Sequence, residues 1–151
     1  MTLKIENAVE RGEMEGCRYF ILPAPFEGAL NGYCVFSKRP TREKSYNGIL
    51  TYVPVHGGIT YAEEDKDGSV TYGFDTLHYD SKEKPRTDTE WIKGQIRVMI
   101  AGIKKAAEVE GKYLRCVSNK GKAKYAQQVS DIQKDESRNF GVIINLLTGR
   151  L

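Results

Sequence analysis

The sequence predicts a single-domain α+β protein, in which a mainly antiparallel sheet of about five strands packs against one long amphipathic helix. Two observations lead to this prediction. Short segments rich in β-branched and aromatic residues fill the first half of the chain, with turn residues between them. One longer segment with apolar residues at helical spacing follows, over residues 88–110. Strands that precede the helices, rather than alternating with them, are typical of α+β proteins.

The composition indicates one soluble globular domain. The chain has 151 residues, of which 40% are hydrophobic and 28% charged. No apolar run has the length of a membrane-spanning helix, and residues 1–6 lack the form of a signal peptide, so we expect a cytoplasmic protein with no membrane partner. The three cysteines lack the spacing of a disulfide framework or zinc site. The net charge of +3 is too small to indicate nucleic-acid binding.

The strands predicted for the main sheet lie before residue 80. They cover residues 3–5, 17–22, 33–36 and 49–55 and two hairpin arms at 59–61 and 69–72. Pro23 and Pro25 end the second strand, and Pro54 indicates an edge position or a bulge, because proline has no amide hydrogen to give to a ladder. Residues 8–16 are predicted as a loop or a frayed helix, and residues 39–47 as a surface loop.

The hairpin carries the clearest turn signal in the chain. Asp67-Gly68 is a preferred two-residue type I′ turn, in which both central residues need positive φ. The register that follows from this turn places Lys66 opposite Ser69, Ala62 opposite Gly73 and Thr60 opposite Asp75. Side chains alternate along a strand, so His56, Thr60 and Asp75 are expected on one face and His78 on the other, unless the chain turns after Asp75.

The long helix is predicted from its ends and its apolar stripe. Thr87 and Glu90 have the spacing of a capping box, and Gly111 is expected to stop the helix after Glu110. The stripe consists of Ile92, Ile96, Met99, Ile100, Ile103 and Ala107, which we interpret as core packing on the sheet. Beyond it, residues 123–136 predict a smaller helix, and the apolar residues 140–147 predict a buried strand or a surface for self-association.

The open end of the hairpin is the predicted ligand site. It brings together both histidines, a glycine pair, a hydroxyl and a carboxylate: His56, Gly57, Gly58, Thr60, Asp75 and His78. Histidine side chains donate to phosphate, an aspartate accepts from a sugar hydroxyl or base edge, and the glycines leave backbone amides accessible. Nearby tyrosines are able to stack on a base.

Two other interpretations of these residues remain open. His56, Asp75 and His78 have the donor types of an open metal site, with Asp80 as a fourth ligand. Alternatively, the histidines anchor the hairpin end and Asp75 caps a turn, without any ligand. The standard catalytic signatures, including the P-loop, GxSxG and HExxH, are absent from the sequence, which disfavours an enzyme.

Two motifs carry a resemblance to a known group of proteins. The segment Val55-His56-Gly57-Gly58-Ile59-Thr60 and the later Gly73-Phe74-Asp75-x-x-His78 resemble a family of small phage and prophage proteins with VHGG(I/L)T and GFDxxH motifs. The resemblance covers residues 33–107, including the amphipathic helix. Many relatives have small residues and Gly-Asp after the histidine, where this chain has Tyr79-Asp80. The resemblance implies a viral origin, while the family has no settled activity.

The combined expectation is a phage-type accessory protein that sequesters a small phosphate-bearing ligand, a nucleotide immune signal, to counter host defence. Small phage proteins often act against host defences, and several kinds hold a cyclic or ADP-ribose-type signalling nucleotide inside an oligomer. We therefore expect a homo-oligomer in the host cytoplasm, without a cofactor. The alternatives are a metal-dependent hydrolase that uses His56, Asp75 and His78, and an inhibitor that binds a protein through residues 140–147 and the 39–44 loop. The basic segment 112–138 is expected to add positive charge.

Overall fold

The computed structural model describes residues 3–25, 28–42, 45–76 and 86–116, with the backbone alone at Tyr52 and beyond Gly111. The strands are β1 (Glu10–Met14), β2 (Cys17–Pro23), β3 (Leu30–Phe36), β4 (Tyr61–Glu64) and β5 (Val70–Phe74), and the long helix is α1 (Thr89–Cys116). Short 3-10 helices cover Ile5–Asn7 and Gly48–Tyr52. The predicted helix at 123–136 and strand at 140–147 lie outside the described residues.

The strands form one antiparallel sheet in the order β1-β2-β3-β5-β4. The first three form a meander, and the β4–β5 hairpin joins it through β5, which pairs with β3. Helix α1 packs across β2 and β3 on one side of this sheet, which we call the α1 face. The predicted α+β class, with an antiparallel sheet of five strands and one long helix, is confirmed.

The main core lies between the α1 face and the helix. The stripe residues Ile92, Ile96, Met99, Ile100 and Ile103 are fully buried, as predicted, with Ala106 rather than Ala107 as the next buried position. They meet the alternate residues of the strands, of which Ile21, Cys34, Val70, Tyr72 and Phe74 are at most 1% exposed. Each such aliphatic or aromatic side chain contributes about 1.5–3 kcal/mol by its removal from water.

Three of the local predictions in the first half of the chain are wrong. Residues 3–5 lead into a 3-10 helix, and residues 8–16 contain β1. Residues 49–55 hold a 3-10 helix instead of a strand. This apolar segment is buried in the same layer as α1, where Val53 packs over Gly102, and it does not join the sheet. A short apolar run has the same composition in a buried strand as in a buried helical segment, so periodicity could not distinguish the two structures.

Both ends of α1 differ from the prediction. The carboxylate that accepts from the first free amides is Asp88, whose Oδ1 lies 3.0 Å from the Glu90 nitrogen and 3.4 Å from that of Trp91. The N-cap is therefore Asp88 rather than Thr87. The helix also continues through Gly111 to Cys116, because a glycine inside a helix costs only about 1 kcal/mol and does not by itself end it. No helix in the described ranges has the length and apolar character needed to cross a membrane.

The β4–β5 register is shifted by one residue from the predicted one. The Gly68 nitrogen donates to the Asp65 oxygen at 3.0 Å, and the Asp65 nitrogen donates to the Ser69 oxygen at 2.8 Å. This is a three-residue loop in which Gly68 alone has positive φ (88°), so the type I′ turn is wrong. Tyr61 consequently lies opposite Gly73, and Ala62 lies opposite Tyr72. Asp67 favours this loop because its Oδ1 accepts from both the backbone nitrogen and the hydroxyl of Ser69.

Candidate functional site

The structure places His56 on the side of the sheet that α1 covers. Its ring meets the edge of Trp91 at a centroid distance of 5.2 Å, and its backbone nitrogen donates to Gln95 Oε1 at 2.9 Å. Both partners belong to the first turns of α1. His56 is thus half-buried in a packed position, and these contacts hold the preceding loop against the helix.

The two glycines after His56 have a conformational explanation. Gly57 and Gly58 have φ values of 70° and 79°, and the Gly58 nitrogen donates to the Val55 oxygen at 2.8 Å. Positive φ at the third residue of such a turn is the signature of type II, which requires glycine there. A Cβ at Gly58 meets nothing within 4 Å, so space alone does not demand a glycine at this position.

Asp75 lies on the other side of the sheet from His56. It follows Phe74, whose side chain is in the main core, and alternation directs Asp75 to the opposite face. Burial raises the pKa of Tyr33, and the negative charge of Asp75 raises it further. The predicted sharing of one face by His56, Thr60 and Asp75 is therefore wrong. A shift of one residue in register puts Thr60 and Asp75 on opposite faces, and the contacts with Gln95 and Trp91 place His56 on the α1 side.

The rest of the predicted site is only partly described. The exposed Thr60 donates its backbone nitrogen to the Gly73 oxygen at 2.9 Å, which extends the β4–β5 pairing. His78 and Asp80 lie outside the described residues. Among the described ones, no group of three histidine, cysteine, aspartate or glutamate side chains is arranged to hold a metal ion. The ligand-binding role of these residues stays a prediction.

Two aromatic rings pack directly over two glycines where β3 and β5 pair: Tyr33 over Gly73, and Phe74 over Gly32. A Cβ at Gly73 would lie 2.4 Å from Tyr33 Cδ1, and one at Gly32 would lie 2.5 Å from Phe74 Cε1. The strands β3 and β5 thus each place a glycine beneath an aromatic ring of the other, on opposite faces of the sheet. These glycines are needed for close packing.

We call the side opposite α1 the arginine face. Residues that lie directly opposite each other in neighbouring strands share a face, so the register defines rows of side chains across the sheet. The first row consists of Arg11, Phe20, Tyr33, Gly73 and Tyr61. The second row consists of Glu13, Arg18, Val35, Thr71 and Glu63. In the first row, Phe20 stacks on Tyr33 with centroids 5.0 Å apart, and Tyr61 meets Tyr33 edge-on at 5.7 Å. Charged residues from β1 and β2 thus border an aromatic cluster.

A cleft of about 390 Å³ opens on this face beside β1. Its floor includes the buried side chains of Phe20 and Val35, and Ile5 borders it as an exposed apolar residue. The exposed charged residues that line it are Arg11, Glu13, Arg18 and Asp65. Concave sites of about 300–1,000 Å³ with an apolar lining and a few polar groups are typical of small-molecule binding.

The two arginines of the cleft are available to a ligand. Neither is in a salt bridge with another described residue. Glu13 lies opposite Arg18 in the register without forming such a bridge. The hydrogen bonds from Ser69 are the main cause of the lowered pKa of Asp67, to which the positive charge of Arg18 adds a small contribution. A guanidinium presents a planar fork of donors that matches two phosphate oxygens.

A second charged cluster lies at the edge of the α1 face and serves packing. The Tyr19 hydroxyl donates to Glu10 Oε2 at 2.8 Å, and Lys93 Nζ lies 3.2 Å from the same oxygen. The hydrogen bond from Tyr19 lowers the pKa of Glu10, and Lys93 lowers it further. These contacts tie β1 and β2 to the first turns of α1.

Comparison of the chain with protein-family models, with curated proteins and with solved structures finds no match. The resemblance to small phage proteins therefore stays a prediction, and the candidate site depends on its own geometry. Sequence reasoning missed Arg11 and Arg18 as a pair, because residues 8–16 were interpreted as a loop. The available signal was the Glu15-Gly16 step, which separates two segments of strand length and forms the β1–β2 turn.

Proposed function

We propose that this protein binds and holds a small phosphate-bearing ligand of nucleotide type, in the cleft of the arginine face. The observation that carries the proposal is the pairing of an apolar floor with two arginines that are not used in salt bridges. An apolar floor suits a planar ring, whereas the guanidinium groups suit a phosphate.

The chemistry of the cleft favours holding the ligand over cleaving it. The described residues that line it include no cysteine and no histidine, which is the side chain that most often acts as a general acid or base. Its two carboxylates, Glu13 and Asp65, are exposed to solvent. A guanidinium group binds phosphate through a fixed fork of donors and does not act as an acid or a base.

The biological role we propose is sequestration of a nucleotide immune signal by a phage-encoded accessory protein. The support is the motif resemblance at His56-Gly57-Gly58 and Gly73-Phe74-Asp75, together with the small size of the domain. Sequestration requires no turnover, which agrees with the cleft chemistry. A homo-oligomer in the host cytoplasm is part of this proposal, by analogy with small phage proteins that hold a signalling nucleotide inside an oligomer.

Titration calorimetry of the full chain with adenosine monophosphate tests the binding proposal. The double variant Arg11→Ala, Arg18→Ala should weaken binding by about a hundredfold or more, since each charge-assisted hydrogen bond to phosphate contributes about 1.5–3 kcal/mol. The matched control is Arg97→Ala, which removes an exposed arginine on α1 that faces Glu15 at 3.6 Å. It should leave binding unchanged.

Two results would contradict this placement of the site. If wild type gives no heat with nucleotides while the fold is intact, the proposed function is wrong. If His56→Ala abolishes binding and the arginine variant does not, the ligand binds at the hairpin end that the motifs predict, and the cleft is not the site.

A further inference from the structure

We infer that the cleft selects ligands with a single phosphate group, linear or cyclic, over diphosphates and triphosphates. The inference rests on the proposed function and narrows the class of ligand. It comes from the charges of the cleft, where two carboxylates stand among the two arginines.

The four charges are interleaved on the same face. Arg11 and Glu13 are two residues apart on β1, and Glu13 lies directly opposite Arg18 on β2. A spacing of two residues along a strand is roughly 7 Å, and opposed residues have Cβ atoms about 4.5–5.5 Å apart. The Glu13 carboxylate therefore stands beside both arginines, so an anion longer than one phosphate extends from the arginines toward it. Asp65, which is exposed beside the turn of the β4–β5 hairpin, adds a second negative charge to the lining.

The affinity of this arrangement for a nucleotide depends on the number of phosphates. The lining carries two positive and two negative formal charges, so it offers no surplus to neutralise a chain of phosphates. One phosphate occupies the arginines. Each additional phosphate brings negative charge toward Glu13 or Asp65, where like charges repel.

The same carboxylates favour the rest of a nucleotide. An ionised carboxylate only accepts hydrogen bonds, and the hydroxyl groups of a ribose and the amino group of a base donate them. Glu13 and Asp65 thus match the neutral, donor-rich part of the ligand, while Arg11 and Arg18 match its anionic part. Thr71, also in the lining, supplies a hydroxyl.

The size of the cleft agrees with one nucleotide unit. About 390 Å³ lies at the small end of the roughly 300–1,000 Å³ range of ligand sites. Phe20 and Val35 are 4% and 8% exposed, so they form the floor, and the ring of the ligand lies on them rather than between them.

The test compares adenosine monophosphate, its 3′,5′-cyclic form, the diphosphate and the triphosphate by calorimetry on the full chain. For wild type, we expect either monophosphate to bind about tenfold tighter than the triphosphate, with the diphosphate between them. The double variant Glu13→Gln, Asp65→Asn keeps the shape of the lining and removes both negative charges. It should strengthen triphosphate binding and bring the ratio close to one.

A matched control separates this effect from a general change in charge. Glu108→Gln removes an exposed carboxylate of α1, which lies 3.9 Å from Lys105 and away from the arginine face. It should leave the ratio of monophosphate to triphosphate affinity at its wild-type value.

The outcomes distinguish the two proposals. If the triphosphate binds as tightly as the monophosphate, or if the carboxamide variant leaves the ratio unchanged, the selectivity inference is overturned and the proposed function stands. If none of the four compounds binds, the proposed function fails, and the selectivity inference fails with it.

Discussion

The two faces of the sheet are built from alternate residues of the same strands, and they differ in the burial and charge of those residues. On the α1 face, residues such as Ile21 and Phe74 are at most 1% exposed and meet the helix stripe. On the arginine face, a smaller cluster around Phe20 and Tyr33 is bordered by exposed arginines and carboxylates. Stability is therefore concentrated on one face, and the other face is able to carry a ligand site at little cost in stability.

Core truncation on the α1 face should have the largest effect on stability. Ile96 is fully buried, and its Cγ1 lies 2.8 Å from the position of a Cβ on Gly32. Ile96→Ala should lower the free energy of unfolding by about 2–5 kcal/mol, because it removes packed methyl groups and leaves a cavity. Arg11→Ala, at an exposed position, should change it by no more than about 0.5 kcal/mol. Urea denaturation measures both, and equal losses would show that the two faces do not differ in this way.

A pair of glycine substitutions should give opposite signs. Gly73→Ala places a Cβ 2.4 Å from the Tyr33 ring, and the required shift should cost about 1–3 kcal/mol. Gly94→Ala in α1 meets nothing within 4 Å and should stabilise the protein by about 0.5–1 kcal/mol, through its helix propensity. Thermal unfolding of the two variants provides the measurement. A neutral Gly73→Ala would mean that Tyr33 is not held across β5.

The Tyr19–Glu10 hydrogen bond should add a smaller, pH-dependent increment. Tyr19→Phe should cost about 1 kcal/mol at neutral pH, a value reduced by the partial exposure of the pair. The Tyr19 hydroxyl lowers the pKa of Glu10, so the contribution is complete above the ordinary value near 4.5 and is lost as the pH falls through the lowered value. As the pH is lowered, the free energies of unfolding of wild type and Tyr19→Phe, measured by denaturation, should converge. A difference that stays constant with pH would show that the hydrogen bond to the ionised Glu10 is not its cause.

The β1–β2 turn should give the smallest effect. Glu15 is the only non-glycine residue with positive φ (52°) in the described ranges, and Lys104 donates to its backbone oxygen. Glu15→Asn should stabilise the protein by about 0.5 kcal/mol, because asparagine tolerates this conformation better. The exposed contact with Arg97 at 3.6 Å contributes little. Nucleotide affinity should not change, since the turn lies outside the cleft. A changed affinity would show that the conformation of the turn affects the cleft, which contradicts this expectation.

The sequence predicted well what depends on long periodic patterns. The α1 stripe repeats over many turns, so its buried isoleucines could be identified without knowing the fold. Strands β2 and β3 are rich in β-branched and aromatic residues, which is why they were found. The α+β fold class followed from the order of these elements along the chain.

The parts that failed depend on tertiary context. Strand β1 is mostly polar, and it is a strand because it pairs with β2 at the edge of the sheet. The β4–β5 register depended on a choice between two turns that both use Gly68, and the Asp67–Ser69 hydrogen bonds favour the longer one. That single residue of shift placed Thr60 and Asp75 on opposite faces, while the turn at residues 55–58 holds His56 against α1. The cleft could not be predicted, because its arginines come together only once β1 has been placed.

The most direct test is to map where adenosine monophosphate binds, using backbone amide chemical shifts of the full chain during titration. We expect the largest perturbations at Arg11, Arg18, Phe20 and Thr71, on the arginine face. Perturbations centred instead on His56, Gly57 and Trp91 would place the ligand at the hairpin end. That result would contradict the central claim that the arginine face holds the ligand.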